Sequence, residues 1–391
     1  MAYLDHAATT PMFPEAIAAM TELLAMPGNP SSLHASGRVA RRHVEEAREV
    51  VARVLGCRPA EVVFTSGGTE ANNIALKGIA WSEREQNPAK RRIVVSSVEH
   101  HAVLDPTHWL QDSNEFDVTW VPVDHFGRVT PQALREALGD DPSDVALVSV
   151  MMANNEVGTT NDIAALTAVT REFGIRFHTD AVQAPAWLDV NFAELGVCAM
   201  TVSAHKVGGP HGVGALIVSR DCKITPLVHG GGQERDIRSG TLDAPAIVAF
   251  AAALDVVSER RTTEVARIRA LRDSLVEQVF AVAPDAIFNG DPEGRLANNA
   301  HFTFPGCLGD SLLMLLDAQG VECSVGSACS AGVPQPSHVL LAMGETADHA
   351  RSTLRFSLGY SSGASDVDEL ITALPVALER GRRAGMPRGA A

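Results

Sequence analysis

The sequence predicts an α/β protein in which a mostly parallel sheet is covered by helices on both faces and is followed by a smaller α/β unit. Short β-branched runs alternate with amphipathic stretches as far as residue 219, a pattern typical of parallel strands joined by helical crossovers. With 391 residues, 46% of them hydrophobic, the chain can bury a large core and form two domains.

The larger unit is predicted from a series of strand-like runs. In chain order these are EVVFT (61–65), RIVVSS (92–97), DVALVSVM (144–151), IRFHTD (175–180), AMTVSAHK (199–206) and GALIVS (214–219). Active sites of parallel sheets lie at the carboxyl ends of the strands. The segments TSGGTE, SSVEHH, MMANNE, HTDAVQ and SAHKVGG fall at such ends, so we expect them to meet in one site.

The smaller unit begins with a long connecting helix, predicted near 245–282 from a stretch rich in Arg, Glu, Ala and Leu. Beyond it, NNAHFTF, SLLMLLDAQGVEC and TLRFSLG predict further strands and a helix. We therefore assign 15–245 to a large domain, and 1–14 with 246–391 to a small domain. VGSACSAGVPQP (325–336) consists almost wholly of small residues and predicts a mobile loop around Cys329.

Composition excludes several classes of protein. The formal net charge is −15, which argues against binding nucleic acid or an anionic membrane through the overall field. The start MAYLDHAATT has no signal-peptide pattern, and the most apolar stretch, 244–257, is too short to span a bilayer. Six scattered cysteines without a CxxC pair predict reduced thiols in a cytoplasm, and nothing near Cys323 and Cys329 completes a metal site.

Two residues at strand ends carry charges suited to catalysis. Lys206 stands at the end of an apolar run beside glycine-rich backbone. Taken alone it is more typical of a surface lysine, but a lysine whose pKa is lowered by its surroundings can form a Schiff base. Asp180 closes HTDAVQ, where it is either a helix N-cap or a carboxylate that keeps a pyridine nitrogen protonated.

A phosphate cradle is the third signal. In TSGGTE, Gly67, Gly68 and Thr69 lie between a strand and a helix, where free N–H groups and the helix dipole attract an anion. Ser203 and His205, beside the lysine, could supply further donors. Gly-Gly-Thr is also common in ordinary loops, so the motif is weak by itself.

Four other side chains are ambiguous when taken singly. His100 is either a structural histidine or a ring-stacking proton carrier, while Asn155 and Gln183 are either turn residues or hydrogen-bonding partners of a ligand. Arg355 forms either a surface ion pair or a bidentate clamp for a carboxylate. Together with the lysine, the aspartate and the cradle, they describe a pyridoxal phosphate site.

The sequence resembles, nearly end to end, the cysteine desulfurases of the NifS/IscS type, class V members of the fold-type I pyridoxal phosphate enzymes. The resemblance rests on YLDHAATTP (3–11), GNPSSLHASGR (28–38), VFTSGGTEANN (63–73), VEHHAVL (98–104), NNEVGT (154–159), HTDAVQ (178–183), SAHKVGGPHGVGAL (203–216), RSGT (238–241), GSACS (326–330) and LRFSLG (354–359). It implies the fold of a fold-type I transferase, with a large sheet domain and a smaller C-terminal α/β domain.

The resemblance also implies a role for each matching residue. Lys206 would carry pyridoxal 5'-phosphate as a Schiff base, with Asp180 on the ring nitrogen and His100 stacked on the ring. The phosphate would be held by Gly68, Thr69, Ser203 and His205, and the ring oxygen and the substrate by Gln183 and Asn155. Thr241 would reach the phosphate of the neighbouring subunit in a homodimer. Arg355 would bind the substrate carboxylate, and Cys329 would be the nucleophile.

The implied reaction converts L-cysteine to L-alanine and leaves the sulfur as a persulfide on Cys329, which passes it to an acceptor such as an iron–sulfur scaffold protein. The long segment SAGVPQP after Cys329 matches the mobile-loop enzymes of iron–sulfur assembly, although Gln335 and Val325 depart from the family pattern. A selenocysteine lyase or a small-substrate aminotransferase would need Lys206 and Asp180 but not Cys329. A persulfide carrier or assembly scaffold without catalysis would retain the fold but would lose no function on Lys206→Ala.

Overall fold

The computed structural model describes residues 1–113, 115–326 and 335–385, with the backbone alone at 384 and 385. Cys329, and with it most of the loop predicted near 325–336, lies outside the described residues.

The strands are short, and most of them are buried. In chain order they are Ala2–Tyr3 (β1), Val62–Thr65 (β2), Arg92–Ser96 (β3), Asp117–Val121 (β4), Val145–Ser149 (β5), Arg176–Asp180 (β6), Ala199–Ser203 (β7), Gly214–Val218 (β8), Ile287–Phe288 (β9), Asn299–Thr303 (β10), Val321–Glu322 (β11) and Thr353–Ser357 (β12).

The helices alternate with the strands through the first part of the chain and then include one very long element. They are Pro14–Leu24 (α1), Ala35–Val54 (α2), Gly68–Gln86 (α3), His101–Asp112 (α4), Pro131–Leu138 (α5), Ile163–Arg171 (α6), Phe192–Leu195 (α7), Ala244–Val282 (α8), Gly309–Asp317 (α9), His338–Ala342 (α10), Ala347–Arg351 (α11) and Ala364–Gly385 (α12).

A seven-stranded sheet in the order β2-β8-β7-β6-β5-β3-β4 forms the centre of the larger unit. Strands β3 to β7 pair in parallel, while β8 runs antiparallel to both β7 and β2. The predicted mostly parallel α/β fold is therefore confirmed. The edge strand β4 was not predicted, because its sequence DVTWV begins exposed and buries fully only its last residue.

Both faces of the large sheet are packed against helices. Alternate residues of one strand enter different cores: Val94 joins the cluster that includes residues of α2 and α8, while Ile93 and Val95 join the cluster of α3 and α4. Each fully buried aliphatic side chain of this kind contributes roughly 1.5–3 kcal/mol to folding. This two-sided burial explains why the strands are apolar runs rather than alternating ones.

A second core surrounds a three-stranded antiparallel sheet in the order β12-β10-β9. The 39-residue helix α8 contributes to both cores, with Phe250 and Leu254 in the first and Leu275 and Val279 in the second. The predicted connecting helix is thus present. The division of the chain into domains at residue 245 stays a prediction.

The N-terminal segment (residues 4–13) connects the two cores. Leu4 is buried in the second core, and Asp5 forms a parallel bridge with Ser357 at the end of β12. Phe13, at the other end of the segment, is buried in the first core. The segment is consequently held at both ends and passes the carboxyl edge of the large sheet.

Candidate active site

A cavity of about 350 Å³ opens at the carboxyl ends of the parallel strands, within the usual range for a small-molecule site. Its lining includes the predicted residues Gly68, Thr69, His100, Asn155, Asp180, Gln183, Ser203, His205, Lys206 and Arg355. These residues are spread over almost 290 positions of the chain, and the fold brings them together.

Two predicted site residues, Thr241 and Cys329, are not found among the described residues that line this cavity. Thr241 is exposed and, within one chain, is not among the described residues that line it. Cys329 lies outside the described residues. The roles assigned to both stay predictions.

Lys206 ends a short 3₁₀ turn, Ala204–Lys206, that follows β7 directly. The strand itself stops at Ser203, one turn earlier than the sequence predicts, because the chain then turns so that the N–H groups of Val207 and Gly209 both donate to the Ala204 carbonyl. The Lys206 Nζ donates to the carbonyl oxygens of Ala7 (2.6 Å) and Ala8 (2.8 Å).

The surroundings of Lys206 favour a neutral amine. Burial and the nearby Arg355 lower its pKa to about 8, although the carboxylates of Asp5 and Asp180 oppose the shift. An amine with that pKa is a far better nucleophile and base at neutral pH than an ordinary lysine. The structure therefore favours a reactive amine at this position over a surface lysine.

Asp180 lies at the end of β6 and is held rigidly. Its Oδ2 accepts a hydrogen bond from Asn72 Nδ2 (2.7 Å), and its Oδ1 accepts one from the Val182 N–H (2.9 Å). The residue is 5% exposed, so its carboxylate is oriented by these donors rather than by water. Asn72, in the first turns of α3, was not predicted as a site residue.

Glu99 lies beside Asp180 and is fully buried. Burial and the charge of Asp180 raise its pKa well above the ordinary value, while a bond from the Met151 N–H to its Oε1 opposes the shift only partly. Burial thus favours the neutral form of Glu99, which lessens the repulsion between its carboxyl group and that of Asp180.

The start of α3 forms the cradle predicted in TSGGTE. The first N–H groups of a helix have no intrahelical acceptor, and the helix dipole makes this end positive. Gly67 has φ 145, in a region that favours glycine. A Cβ on Gly68 would come within 2.9 Å of Val182 Cγ2. Two glycines therefore allow the backbone N–H groups to reach the cavity.

His100 and His205, two of the four histidines that line the cavity, lie where the neutral form of the ring is favoured. His100 is the N-cap of α4, and its Nδ1 accepts from the Ala102 N–H (3.0 Å), so the ring hydrogen lies on Nε2. Burial lowers the pKa of His100, and burial together with Lys206 and His211 lowers that of His205 to about 4. His205 sits in the same turn as Lys206.

Arg355 is the cation of the opposite wall. Its side chain is 5% exposed, with one terminal nitrogen 2.7 Å from the Asn155 carbonyl and the other 2.8 Å from Asp5 Oδ1. It therefore does form an ion pair, in which the guanidinium is buried and lines the cavity while the Asp5 side chain is partly exposed.

Several lining residues were missed by sequence reasoning. Ala7 and Ala8 contribute backbone carbonyls, and the Ala7 oxygen also accepts from Gln183 Nε2 (2.9 Å). His338, just after the predicted loop, lines the cavity and donates from Nε2 to the Glu99 carbonyl (2.9 Å). The motif YLDHAATTP could have indicated Ala7 and Ala8. His338, a lone histidine in SHVLLAMG, has no motif that would indicate a site residue.

This donor set suits a phosphorylated aromatic aldehyde. An amine that is neutral near pH 8 can bond a carbonyl carbon, a fixed carboxylate can pair with a ring nitrogen, and a helix start with two glycines can take a phosphate. The residues present therefore fit pyridoxal phosphate.

Comparison with known proteins agrees with this geometry. The family model for aminotransferase class-V matches residues 2–370. An IscS-like cysteine desulfurase of Mycobacterium tuberculosis is 56% identical over 99% of this chain and 98% of its own length. A solved structure described as a NifS-like protein has a TM-score of 0.89 at 35% identity, covering 97% of this chain and all of that one. A structure of SspA in complex with cysteine has a TM-score of 0.79 at 33% identity, with coverage of 92% and 99%.

The chain belongs to the class-V aminotransferase family. Within that family it is a member of the IscS/NifS branch, whose enzymes depend on pyridoxal phosphate. In the part of the chain that the structure describes, no helix combines the length and apolar character needed to cross a membrane.

Proposed function

We propose that this class-V enzyme is a cysteine desulfurase that removes sulfur from L-cysteine, releases L-alanine and carries the sulfur as a persulfide on Cys329. The observation that carries the proposal is the meeting of Lys206, Asp180 and Arg355 around one cavity. Such a cavity offers an amine, a ring-nitrogen partner and a carboxylate site to an amino acid. The related SspA structure contains cysteine, the substrate proposed here.

Pyridoxal phosphate would be held by groups already in place. Lys206 would bond its aldehyde carbon, Asp180 would pair with its ring nitrogen, and His100 would stack on the ring. The phosphate would lie against Gly68, Thr69, Ser203 and His205, while Gln183 and Asn155 would bond the ring oxygen. When bound, the cofactor supplies an electron sink that stabilises negative charge at the substrate α-carbon.

Lys206 serves as the base of the site. Its pKa of about 8 leaves a useful fraction of neutral amine at physiological pH, able to take the proton from the substrate α-carbon. The carbonyls of Ala7 and Ala8 give the freed amine a fixed position between proton transfers. Arg355 binds the carboxylate of the amino-acid substrate and so holds the end of the substrate that lies away from Lys206.

Cys329 is proposed as the sulfur acceptor. Its thiolate attacks the substrate sulfur, so that an S–S bond forms while the substrate Cβ–S bond breaks. The electron pair of the broken bond stays on the carbon fragment, which gains protons and leaves as alanine. The persulfide then donates its outer sulfur to an acceptor protein, for which an iron–sulfur scaffold in the cytoplasm is the proposed candidate.

A homodimer is part of the proposal. Thr241 is exposed in the single chain, as a residue that completes the phosphate site of a second copy would be. Cross-subunit completion predicts that a dimer retains cofactor better than a monomer.

The reaction is tested with purified enzyme loaded with pyridoxal phosphate, by measuring alanine and sulfide formed from L-cysteine in the presence of a thiol. Wild type is expected to form both, Cys329→Ala is expected to lose them, and Cys57→Ala, outside the cavity, is the matched control. Full desulfuration by Cys329→Ala would favour a selenocysteine lyase or another class V reaction. A persulfide carrier would form no alanine at all.

A further inference from the structure

Asp5 is fixed beside Arg355 by backbone pairing. The Ser357 N–H donates to the Leu4 carbonyl (2.7 Å), and the His6 N–H donates to the Ser357 carbonyl (3.2 Å). These two bonds place Asp5 alongside the end of β12, two residues from Arg355. The aspartate therefore meets the arginine through the fold, although 350 positions separate them in sequence.

The guanidinium of Arg355 is held from several directions. Asp5 and the Asn155 carbonyl bind its terminal nitrogens, and the backbone of Arg355 exchanges hydrogen bonds with Ser324. Its Nε is buried and has no acceptor among the described residues. Arg355 lines the cavity, whereas Asp5 is not among the described residues that do. Asp5 thus touches the arginine but not the space for a substrate.

A counter-ion stabilises a buried guanidinium in its position. Removing one partner of a buried ion pair leaves an uncompensated charge, which is strongly disfavoured. Asp5 is the carboxylate in contact with this guanidinium in the described structure. Without it, Arg355 would be expected to turn toward solvent, where it can no longer meet a substrate carboxylate.

We propose that Asp5 is a positioning residue that holds Arg355 in the cavity and thereby sets the affinity for the carboxylate of the amino-acid substrate. This inference rests on the proposed function in one respect, the assignment of Arg355 as the carboxylate site. Asp5 is assigned no proton or sulfur transfer of its own, although its charge also acts on Lys206, whose lowered pKa it partly opposes.

Electrostatic repulsion alone would have the opposite effect, because Asp5 and a substrate carboxylate carry like charges. If repulsion outweighed positioning, removal of the Asp5 charge would tighten carboxylate binding. The experiment separates the two by the sign of the change.

The test uses pyridoxal phosphate-loaded wild type and Asp5→Asn with L-cysteine, L-alanine and cysteamine, which is cysteine without its carboxylate. Loss of the charge-assisted bond is expected to raise KM for L-cysteine about tenfold and to weaken calorimetric binding of L-alanine by a similar factor. The value of kcat should change less than about twofold, because the reacting atoms keep their neighbours. The inhibition constant of cysteamine should not change.

Matched variants separate positioning from damage to the fold. Glu15→Gln removes another carboxylate–arginine pair near the start of the chain, the exposed ion pair with Arg260. It is expected to leave the binding of L-cysteine, L-alanine and cysteamine unchanged. Asp5→Glu keeps the charge and should recover most of the affinity. Combining Asp5→Asn with Arg355→Lys should weaken L-alanine binding no further than Arg355→Lys alone, because the aspartate acts through the arginine. Melting temperature and cofactor absorbance verify that each variant is folded.

Several results would overturn the inference: an unchanged KM, tighter binding of L-alanine, or equal weakening of L-alanine and cysteamine. Failure of the proposed reaction gives a different pattern. If wild type forms no alanine from L-cysteine while Asp5→Asn still weakens L-alanine binding about tenfold, the reaction is wrong and the role of Asp5 stands.

Discussion

The cavity has two walls of different origin. One, the cofactor wall, consists of Gly68, His100, Asp180 and Lys206, which follow strands of the seven-stranded sheet or begin the helices after them. The other, the substrate wall, consists of Ala7, Ala8, Ser324 and Arg355, which come from the N-terminal segment and the second core. The walls meet where the Lys206 amine donates to the Ala7 and Ala8 carbonyls.

The walls also differ in electrostatics. On the cofactor wall burial lowers the pKa of Lys206 and of His100, which favours the neutral form of each side chain more than water does. On the substrate wall the guanidinium of Arg355 forms an ion pair with the Asp5 carboxylate. The contrast shows that one cavity can hold both an amine with a lowered pKa, Lys206, and a fixed cation, Arg355. Each is positioned by a different part of the chain.

The largest effect is expected from Lys206→Ala on the cofactor wall. Loss of the amine removes both the covalent anchor and the base, and should lower alanine formation roughly 10²- to 10⁴-fold. Cofactor absorbance and an alanine assay measure it, and Lys223→Ala, an exposed lysine outside the cavity, is the control. If Lys206→Ala kept more than a tenth of wild-type activity, Lys206 would be neither the covalent anchor nor the base of the site.

On the substrate wall, Arg355→Lys should have the next largest effect. A lysine keeps the charge but loses the planar fork that reaches the Asn155 carbonyl and Asp5 together. We expect kcat/KM for L-cysteine to fall roughly 10- to 100-fold, mainly through KM. A fall carried by kcat instead would mean that Arg355 acts on the chemical step and that the two walls are not separate in function.

The two walls differ in how much of each could be predicted from the sequence. The fold class, the alternation of strands and helices, and the cofactor wall could be predicted because each residue stands next to its own strand in a short motif such as HTDAVQ or SAHK. The substrate wall could not be built in the same way, since Asp5 and Arg355 meet only through pairing of the chain near its two ends. Glu99 and Asn72 were missed because their environment is tertiary, and β4 because an edge strand needs few apolar residues.

The pH dependence of cofactor uptake tests the neutral amine directly. The pKa of Lys206 is lowered to about 8, so its neutral fraction rises through pH 8 instead of through the ordinary value of 10.5. Uptake of pyridoxal phosphate by the apoenzyme should accelerate about tenfold per pH unit below pH 8 and then level off. Stopped-flow absorbance between pH 6 and 10, with Lys223→Ala as control, measures the midpoint. A midpoint near 10.5 would show that the cofactor wall does not desolvate its lysine.

The smallest effect on activity is expected from Glu99→Gln. Burial favours the neutral form of Glu99, and glutamine can still accept the Met151 N–H, so activity should change less than about twofold. The free energy of unfolding, in contrast, should differ between wild type and Glu99→Gln in its dependence on pH. A raised folded pKa means that the native state binds the proton more tightly than the unfolded state, so wild type loses stability as pH rises above 4.5.

Glu99→Gln lacks this proton linkage. Its stability relative to wild type should therefore increase with pH, by at most about 1.4 kcal/mol per pH unit. Denaturant unfolding of both proteins from pH 5 to 8 measures the difference. A difference that does not vary with pH would indicate an ionised Glu99 beside Asp180, and hence a cofactor wall with two negative charges.

The most direct test of the central claim is mass spectrometry of the enzyme after a single turnover with L-cysteine and no added thiol. The account predicts that the peptide containing Cys329 gains the mass of one sulfur atom for each alanine formed, and that Lys206→Ala gives neither the alanine nor the added sulfur. Alanine formed while the Cys329 peptide keeps its mass, or sulfur found on another cysteine instead, would contradict it.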